Sequence, residues 1–166
     1  IFSCYTGLSY IDIKNLTGEH IRKESNRYWI RARRIKTNVK YNVPLLSKPL
    51  DILIKYSPLF ENTDRFSKIF RVISNQKMNK YLKELNVICG IAMPLTFHLA
   101  RHTFATSITL NNGVPIESVS AMLGHRKIPT TQHYAKLLGR KLDEDMTNLA
   151  IRLEKKMQLI STANRA

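Results

Sequence analysis

One stretch of the chain, residues 27–43, has the pattern of β-strands, and it limits the sheet that the chain can form. A polar run at 36–38 divides its apolar positions into two groups, Tyr28, Trp29, Ile30 and Ile35, then Val39, Tyr41 and Val43. This pattern predicts two strands joined by a tight connection. No other stretch predicts strands with similar clarity, so we expect a small antiparallel sheet.

Helix signals dominate the remainder of the chain. Four polar residues that precede amphipathic runs are predicted N-caps: Ser9, Ser47, Ser74 and Thr96. The last three would open helices over 48–57, 75–89 and 97–110. In the second of these helices, we expect Tyr81, Leu82 and Leu85 to face the core.

Three more helices are expected towards the end of the chain. Pro115 opens a short helix that ends at Gly124, Thr130 or Thr131 opens one that carries Tyr134, and residues 142–159 form an amphipathic helix. We therefore predict an α+β fold, a mainly α-helical domain with a small antiparallel sheet, and one domain over residues 1–166.

The charge of the chain indicates its class of partner. It contains 27 Lys and Arg against 12 Asp and Glu, a formal charge of +15, which favours a polyanion. The basic residues are spread over several elements and no apolar run could span a bilayer, so nucleic acid is favoured over a membrane. Cys4 and Cys89 have apolar neighbours and are expected to be buried free thiols in a reducing, cytoplasmic compartment.

The predicted hairpin is the most basic part of the chain. Between residues 19 and 40, two glutamates accompany eight basic residues, Arg22, Lys23, Arg27, Arg31, Arg33, Arg34, Lys36 and Lys40. Such a ribbon suits contact with phosphates, although a solvated charged face would have the same composition.

A second group of residues, between 95 and 138, has side chains that could take part in catalysis. His98 and Arg101 are three residues apart and share one face of the predicted helix. His125 follows a helix stop, and Tyr134 comes nine residues later. Considered alone, each of these features is common.

Together these residue types suit the transfer of a phosphodiester. The phenol of Tyr134 is a nucleophile, and the guanidinium of Arg101 can hold two phosphate oxygens. His98 and His125 can donate to the same oxygens or move a proton, and a lysine could protonate the leaving sugar oxygen. No carboxylate cluster suited to Mg²⁺ accompanies them, so the set predicts chemistry without a metal or cofactor.

The ordered set resembles the signature of the tyrosine recombinases, the phage-integrase-like recombinases. The matching segments are Thr6-Gly7-Leu8-Ser9, Ile35-Lys36-Thr37, His98-Leu99-Ala100-Arg101-His102-Thr103-Phe104-Ala105-Thr106, Leu123-Gly124-His125 and Tyr134. The resemblance covers nearly the whole chain. Around Thr6-Gly7-Leu8-Ser9, the chain is similar to integrases of Bacteroides-type mobile elements.

The resemblance implies a site-specific recombinase or integrase that cuts and rejoins DNA through a 3′-phosphotyrosyl intermediate. It implies that Tyr134 is the nucleophile, Arg101 and His125 bind phosphate, His98 is the general base and Lys36 is the general acid. Contacts to the DNA backbone are expected from five further basic residues, Arg31, Arg33, Lys40, Arg126 and Lys127.

The resemblance also implies partners and surroundings. We expect double-stranded DNA as the partner, a monomer in free solution and a tetramer on DNA. The C-terminal helix would dock on a neighbouring subunit or pack within its own chain. The resemblance also allows an accessory DNA-bending protein. It implies a nucleoid-associated protein, of which this chain is a fragment without the N-terminal DNA-binding domain.

Ser9 departs from the family pattern, because the family usually carries its first arginine there. A serine cannot make a bidentate charged contact, and Ser9 is expected to act as a helix cap. Arg34 is the candidate substitute, because alternate residues of an extended strand share a face and Arg34 would then point the same way as Lys36. Arg31 and Arg33 would point the other way.

Other interpretations are weaker. His98 and His102 have the spacing of a helical zinc site, but Leu99 replaces the glutamate that a zincin needs, and His102 is expected to be structural. A type IB topoisomerase would share the chemistry but commonly has lysine at the position of His98. A catalytically impaired DNA-binding protein is favoured only by Ser9.

Overall fold

The computed structural model describes residues 1–57, 65–135 and 141–163, with side chains in the last range from 146 to 157. The helices are α1 (Phe2–Thr6), α2 (Tyr10–Lys14), α3 (Ser47–Tyr56), α4 (Asn75–Ile88), α5 (Phe97–Thr103), α6 (Ile116–Leu123), α7 (Pro129–Ala135) and α8 (Lys141–Ala163). The strands are β1 (Ile21–Glu24), β2 (Arg27–Arg33) and β3 (Lys40–Pro44). The predicted α+β class is confirmed.

The sheet has three antiparallel strands in the order β1-β2-β3. The sequence predicted β2 and β3 but missed β1, because this short edge strand has a single apolar residue, Ile21, followed by three charged ones. β1 is held by its pairing with β2, in which Ile21 lies opposite Ile30. Ser25 and Asn26 adopt positive φ in the turn between them, as tight hairpins require.

The connection between β2 and β3 is longer than predicted. Strand β2 ends at Arg33, and residues 34–39 form a turn in which the Arg34 amide donates to the Val39 carbonyl. Ile35, which the alternation placed in a strand, is exposed in this turn. Positive φ at Asn38 helps the chain to reverse.

Two clusters of buried side chains form the core. The first joins α1, α2 and the inner face of the sheet to α3, and includes Leu16, Ile30, Val43 and Leu53. The second packs the segment after α5 against α6 and α7, through Phe104, Ala105, Leu110, Val119, Leu123 and Tyr134. Met122 contacts both clusters, so α6 joins the sheet side to the helical side.

Most predicted helix boundaries agree with the structure. Ser9, Ser74 and Thr96 each accept a hydrogen bond from the first turn of their helices, and Pro115 is the N-cap of α6. Ser47 is the first residue of α3 rather than its cap, which is Leu46. The helix predicted to continue beyond Thr103 changes to a π-helix at Phe104–Thr109 and a 3₁₀ turn at Leu110–Asn112.

The inward face predicted for α4 is wrong for Tyr81 and Leu85, which are 44% and 49% exposed, whereas Leu82 is half-buried. Two polar residues instead attach α4 to the segment that begins α5. The Oδ1 atoms of Asn79 and Asn86 accept from the backbone amides of Phe97 and Leu95. Side-chain hydrogen bonds to the backbone thus help to orient α4. The spacing of hydrophobic residues in the sequence cannot predict such bonds.

The cysteines and the last helix also differ in part from expectation. Cys4 is half-buried, but Cys89 is exposed after the end of α4, so only its free state agrees with the prediction. Helix α8 begins at 141 and reaches 163, and its apolar side chains Met146, Leu149 and Leu153 are exposed. No helix in the described ranges is both long and apolar enough to cross a membrane.

Gly7 and Gly113 allow a controlled test of packing. Both have positive φ, but a Cβ on Gly7 would lie 2.5 Å from Phe104 Cδ1 and 2.9 Å from Leu123 Cδ2, whereas one on Gly113 meets nothing within 4 Å. Gly113→Ala should lower the free energy of unfolding by about 1–2 kcal/mol through backbone strain. Gly7→Ala should lower it by about 1–3 kcal/mol more through overpacking. Urea denaturation measures both, and equal losses would contradict the close packing at Gly7.

Candidate active site

Arg101 lies at the centre of the candidate site, on α5, and only 5% of its surface is exposed. Its guanidinium donates to the carbonyl of Gly7 at 2.5 Å, to the carbonyl of Leu123 at 2.5 Å, and towards Nε2 of His125 at 3.1 Å. Burial, and after it the nearby charge of Arg34, lowers the pKa of Arg101 to about 10. The side chain remains a cation at neutral pH and is fixed in place.

A second arginine enters the same place from the sheet. Arg34 donates from a terminal nitrogen to the Leu123 carbonyl at 3.2 Å, so this oxygen accepts from both guanidinium groups. The Arg34 side chain is 13% exposed, and its Nε lies 3.6 Å from Oδ2 of Asp12. Two neighbouring guanidinium groups create a strongly positive site.

Asp12 is a buried carboxylate in the first turn of α2. Its Oδ2 accepts from the Ser9 hydroxyl at 2.5 Å, and its Oδ1 accepts from the Ile35 amide at 3.1 Å. The same carboxylate therefore connects the cap of α2 to the turn that carries Arg34. The cap prediction for Ser9 is confirmed by the bond from the Asp12 amide to its hydroxyl.

Gly124 makes room for Arg34. It ends α6 in the left-handed conformation, with φ 61°, and a Cβ there would lie 2.8 Å from Arg34 Cδ. Glycine is the residue that both adopts this conformation and leaves the space open. The pattern Leu123-Gly124-His125 thus places an accepting carbonyl, a gap and an imidazole in sequence.

His125 is held at both ring nitrogens. Nε2 faces Arg101, and Nδ1 lies 2.8 Å from the hydroxyl of Thr131. Burial, and after it the charges of Arg101 and Arg34, lowers the pKa of His125 to about 4. The imidazole is therefore neutral at physiological pH.

Tyr134 is 6% exposed and lies among histidine rings. The His125 ring is parallel to it at a centroid distance of 6.3 Å, and the His102 ring meets it edge-on at 4.9 Å. His102 also contacts His98 at 4.8 Å, so His98 is one ring removed from Tyr134. His102, which was expected to be structural, contacts the phenol ring directly.

The remaining predicted residues lie outside this cluster. Lys36 is exposed in the turn after β2, and Arg126 links that turn to the His125 loop by donating to the Thr37 carbonyl at 3.3 Å. Five basic residues predicted to contact DNA are exposed: Arg31, Arg33, Lys40, Arg126 and Lys127.

The strand alternation that predicted the direction of Arg34 does not apply, because β2 ends at Arg33. Arg33 and Arg34 nevertheless differ as expected. Arg33 is exposed and donates to the Asn38 carbonyl at 3.0 Å, whereas Arg34 is turned into the cluster. The turn itself orients Arg34.

The cluster combines two guanidinium groups, a neutral imidazole and a phenol. Guanidinium groups hold phosphate oxygens in two-point contacts, and a phenol can attack phosphorus. Among residues 1–57, 65–135 and the described part of α8, no group of three His, Cys, Asp or Glu is placed to hold a metal ion. The arrangement is suited to a phosphodiester.

Comparison with known proteins gives a consistent result. Residues 2–140 match the model of the Phage integrase family. The tyrosine recombinase XerD of Halalkalibacterium halodurans is 47% identical over 64 residues, which are 39% of this chain and 21% of that protein. The chain therefore spans only part of the length of such a relative.

Solved structures share the fold. XerA recombinase superimposes with a TM-score of 0.67 and 27% identity, over 87% of this chain and 54% of that one. The Tn1549 transposon integrase, solved in complex with transposon right end DNA, has a TM-score of 0.61 and 17% identity, over 80% of this chain and 51% of that one.

The environment of His125 predicts a pH dependence of stability. The unfolded chain takes up a proton at this imidazole near pH 6.5, whereas the folded chain does so only near its pKa of about 4. Its contribution to stability should thus be complete above pH 6.5 and be lost as the pH falls from 6.5 towards 4. Titration of the ring by NMR checks the pKa, and His125→Asn should flatten the slope of stability against pH. If the NMR titration gave His125 a pKa near 6.5, its burial beside two guanidinium groups would be refuted.

Proposed function

Because the chain belongs to the phage integrase family, we propose that it is the catalytic domain of a site-specific DNA recombinase. The proposed enzyme cuts and rejoins double-stranded DNA through a 3′-phosphotyrosyl intermediate, with no metal or cofactor in the chemistry. The observation that carries the proposal is the placement of Tyr134 between the rings of His102 and His125, beside the buried guanidinium of Arg101.

In the proposed reaction, the phenol oxygen of Tyr134 attacks a DNA phosphorus. A phosphorus–oxygen bond to tyrosine forms, and the bond to the 5′ oxygen of the next sugar breaks. Arg101 and His125 stabilise the charge that builds on the non-bridging oxygens. His98 accepts the phenol proton, and Lys36 gives a proton to the leaving oxygen. Rejoining reverses these steps with a 5′ hydroxyl from another strand.

Arg34 takes the place of the arginine that the family usually has at the position of Ser9. It is supported by its burial beside Arg101 and by the carbonyl of Leu123 that both guanidinium groups share. Asp12 holds Arg34 near its place at a distance of 3.6 Å. A phosphate that reached Arg101 would therefore meet a second cation supplied by the hairpin turn.

DNA would lie across the surface that presents the hairpin turn and the His125 loop. Phosphate contacts are assigned to the exposed side chains Arg31, Arg33, Lys40, Arg126 and Lys127. Arg31 is also paired with Glu24 at 2.6 Å, so a phosphate would compete with that carboxylate. The Tn1549 integrase, which has this fold, was solved with DNA, in agreement with this class of partner.

The assembly is proposed to be monomeric in free solution and tetrameric on DNA. The exposed apolar residues of α8, Met146, Leu149 and Leu153, offer a surface for a neighbouring subunit. We also propose that the full protein has an N-terminal DNA-binding domain and acts with an accessory DNA-bending protein. Its proposed location is cytoplasmic and nucleoid-associated.

Two rival functions make different predictions. A type IB topoisomerase would form the same adduct but would relax supercoiled DNA without exchanging strands between two duplexes. A catalytically impaired DNA-binding protein would bind DNA and form no adduct. Incubation with two labelled duplexes, followed by analysis of joined products, separates recombinase from topoisomerase.

The nucleophile is tested by Tyr134→Phe. Wild-type protein incubated with nicked suicide DNA should give a covalent adduct that migrates slowly on a denaturing gel. Tyr134→Phe should give none, because it lacks the attacking oxygen, while its binding to DNA should be unchanged. An adduct that persists in this variant would exclude Tyr134 as the nucleophile.

The substitute arginine is tested by comparing two neighbouring positions. Arg34→Ala should lower the rate of adduct formation by about 100-fold or more, because a charged donor to the phosphate is lost. Arg33→Ala, the control, removes an exposed charge of the same sign and should weaken DNA binding only slightly, with little effect on the rate for bound DNA. Similar rates for Arg34→Ala and wild type would eliminate Arg34 as a participant.

A further inference from the structure

The hydroxyl of Thr131 contacts the imidazole of His125 from a fully buried position. Thr131 is completely buried, its Oγ1 lies 2.8 Å from Nδ1 of His125, and it precedes Tyr134 by one turn of α7. From the sequence alone, Thr131 was only a candidate for the start of that helix. Buried polar groups are normally hydrogen-bonded, so the partner of a fully buried hydroxyl indicates why the residue is polar.

The contact of His125 with Arg101 determines the position of the ring proton. A guanidinium has only donors, so Nε2, at 3.1 Å, accepts from Arg101. The proton of the neutral ring is then on Nδ1, and it is donated to Oγ1 of Thr131. In this form, His125 has no proton on Nε2 to donate to a phosphate oxygen.

A phosphate bound at Arg101 requires the opposite arrangement. Its oxygen would take the guanidinium donor now directed at His125, and a stabilising contact from His125 would need a proton on Nε2. In a neutral ring, Nδ1 then becomes an acceptor. The group that faces Nδ1 must therefore accept a hydrogen bond in one state and donate one in the other.

We propose that Thr131 is a positioning residue that allows His125 to change tautomer when a phosphate enters the site. Its hydroxyl can accept from Nδ1–H in the free protein and, after rotation, donate to Nδ1 in the complex. The proton on Nδ1 passes to solvent and one from solvent is taken up at Nε2, so the charge of the ring is unchanged. This inference rests on the proposed function.

The same hydrogen bond couples the ring to the nucleophile. Thr131 and Tyr134 are three residues apart on α7, and His125 is in the loop that follows α6. The contact thus holds the helix that carries the phenol against the loop that carries the imidazole. A change that removes the hydroxyl should disturb both.

Three variants separate the hydroxyl from the shape of the side chain. Thr131→Val keeps the shape and removes the hydroxyl, and Thr131→Ser keeps the hydroxyl. Thr130→Val, the matched control, makes the same change at the adjacent exposed residue. On nicked suicide DNA, Thr131→Val should form adduct about tenfold to 100-fold more slowly, whereas Thr131→Ser and Thr130→Val should stay within about threefold of wild type.

The second measurement is the protonation of the His125 ring, read from its nitrogen shifts by NMR. In wild type, the proton should be on Nδ1 without phosphate and on Nε2 at the highest soluble concentration of inorganic phosphate. Thr131→Ser should make the same change, and a folded Thr131→Val should not. If Thr131→Val does not fold, the wild-type spectra still decide whether the His125 ring changes tautomer, and a ring that does not change overturns the proposal.

A wild-type ring that keeps its proton on Nδ1 with phosphate present would overturn the proposal. Wild-type adduct rates in Thr131→Val would also overturn it. The proposed function fails in a different way, because wild-type protein would then form no adduct. In that case the NMR comparison still tests the tautomer change at His125.

Discussion

The buried guanidinium of Arg101 is the interaction on which the other parts of the site depend. It joins three separate parts of the chain, through the carbonyl of Gly7, the carbonyl of Leu123 and the ring of His125. A buried cation is stable only where donors are matched by acceptors. The turn after α1, the end of α6 and the loop beyond it must therefore all be in place for α5 to carry this side chain.

The end of α6 supplies much of that compensation. The Leu123 carbonyl is at the C-terminus of the helix, where carbonyl groups lack helical partners and carry partial negative charge. It accepts from both Arg101 and Arg34. The left-handed Gly124 that ends the helix also leaves space for Arg34. One helix terminus thus brings two like charges together, and Asp12 on the opposite side reduces their repulsion.

The neutral imidazole of His125 lies next to the two charged guanidinium groups of the cluster. Burial, and after it the charges of the two guanidinium groups, lowers the pKa of His125 to about 4, so its ring stays neutral. A neutral imidazole has one donor and one acceptor, and its partners determine which nitrogen is which. Thr131 and Arg101 are those partners, which makes the hydrogen-bonding state of His125 sensitive to whatever binds at Arg101. The proposed chemistry therefore depends on the neighbours of His125 as well as on the ring.

The sequence by itself determined the α+β class and most helix limits, because caps, stop glycines and spacings act over a few residues, and its motifs predicted the candidate catalytic residues. It also made Arg34 the candidate substitute for the arginine missing at Ser9, although the strand alternation given as the reason does not apply, since β2 ends at Arg33. Only the tertiary structure decided that Asp12 joins Ser9 to Arg34 and that Thr131 faces His125. It also decided that β1 is a strand and that Tyr81 is exposed. These features depend on contacts between distant segments, whose hydrogen bonds and burial leave no periodic pattern in the chain.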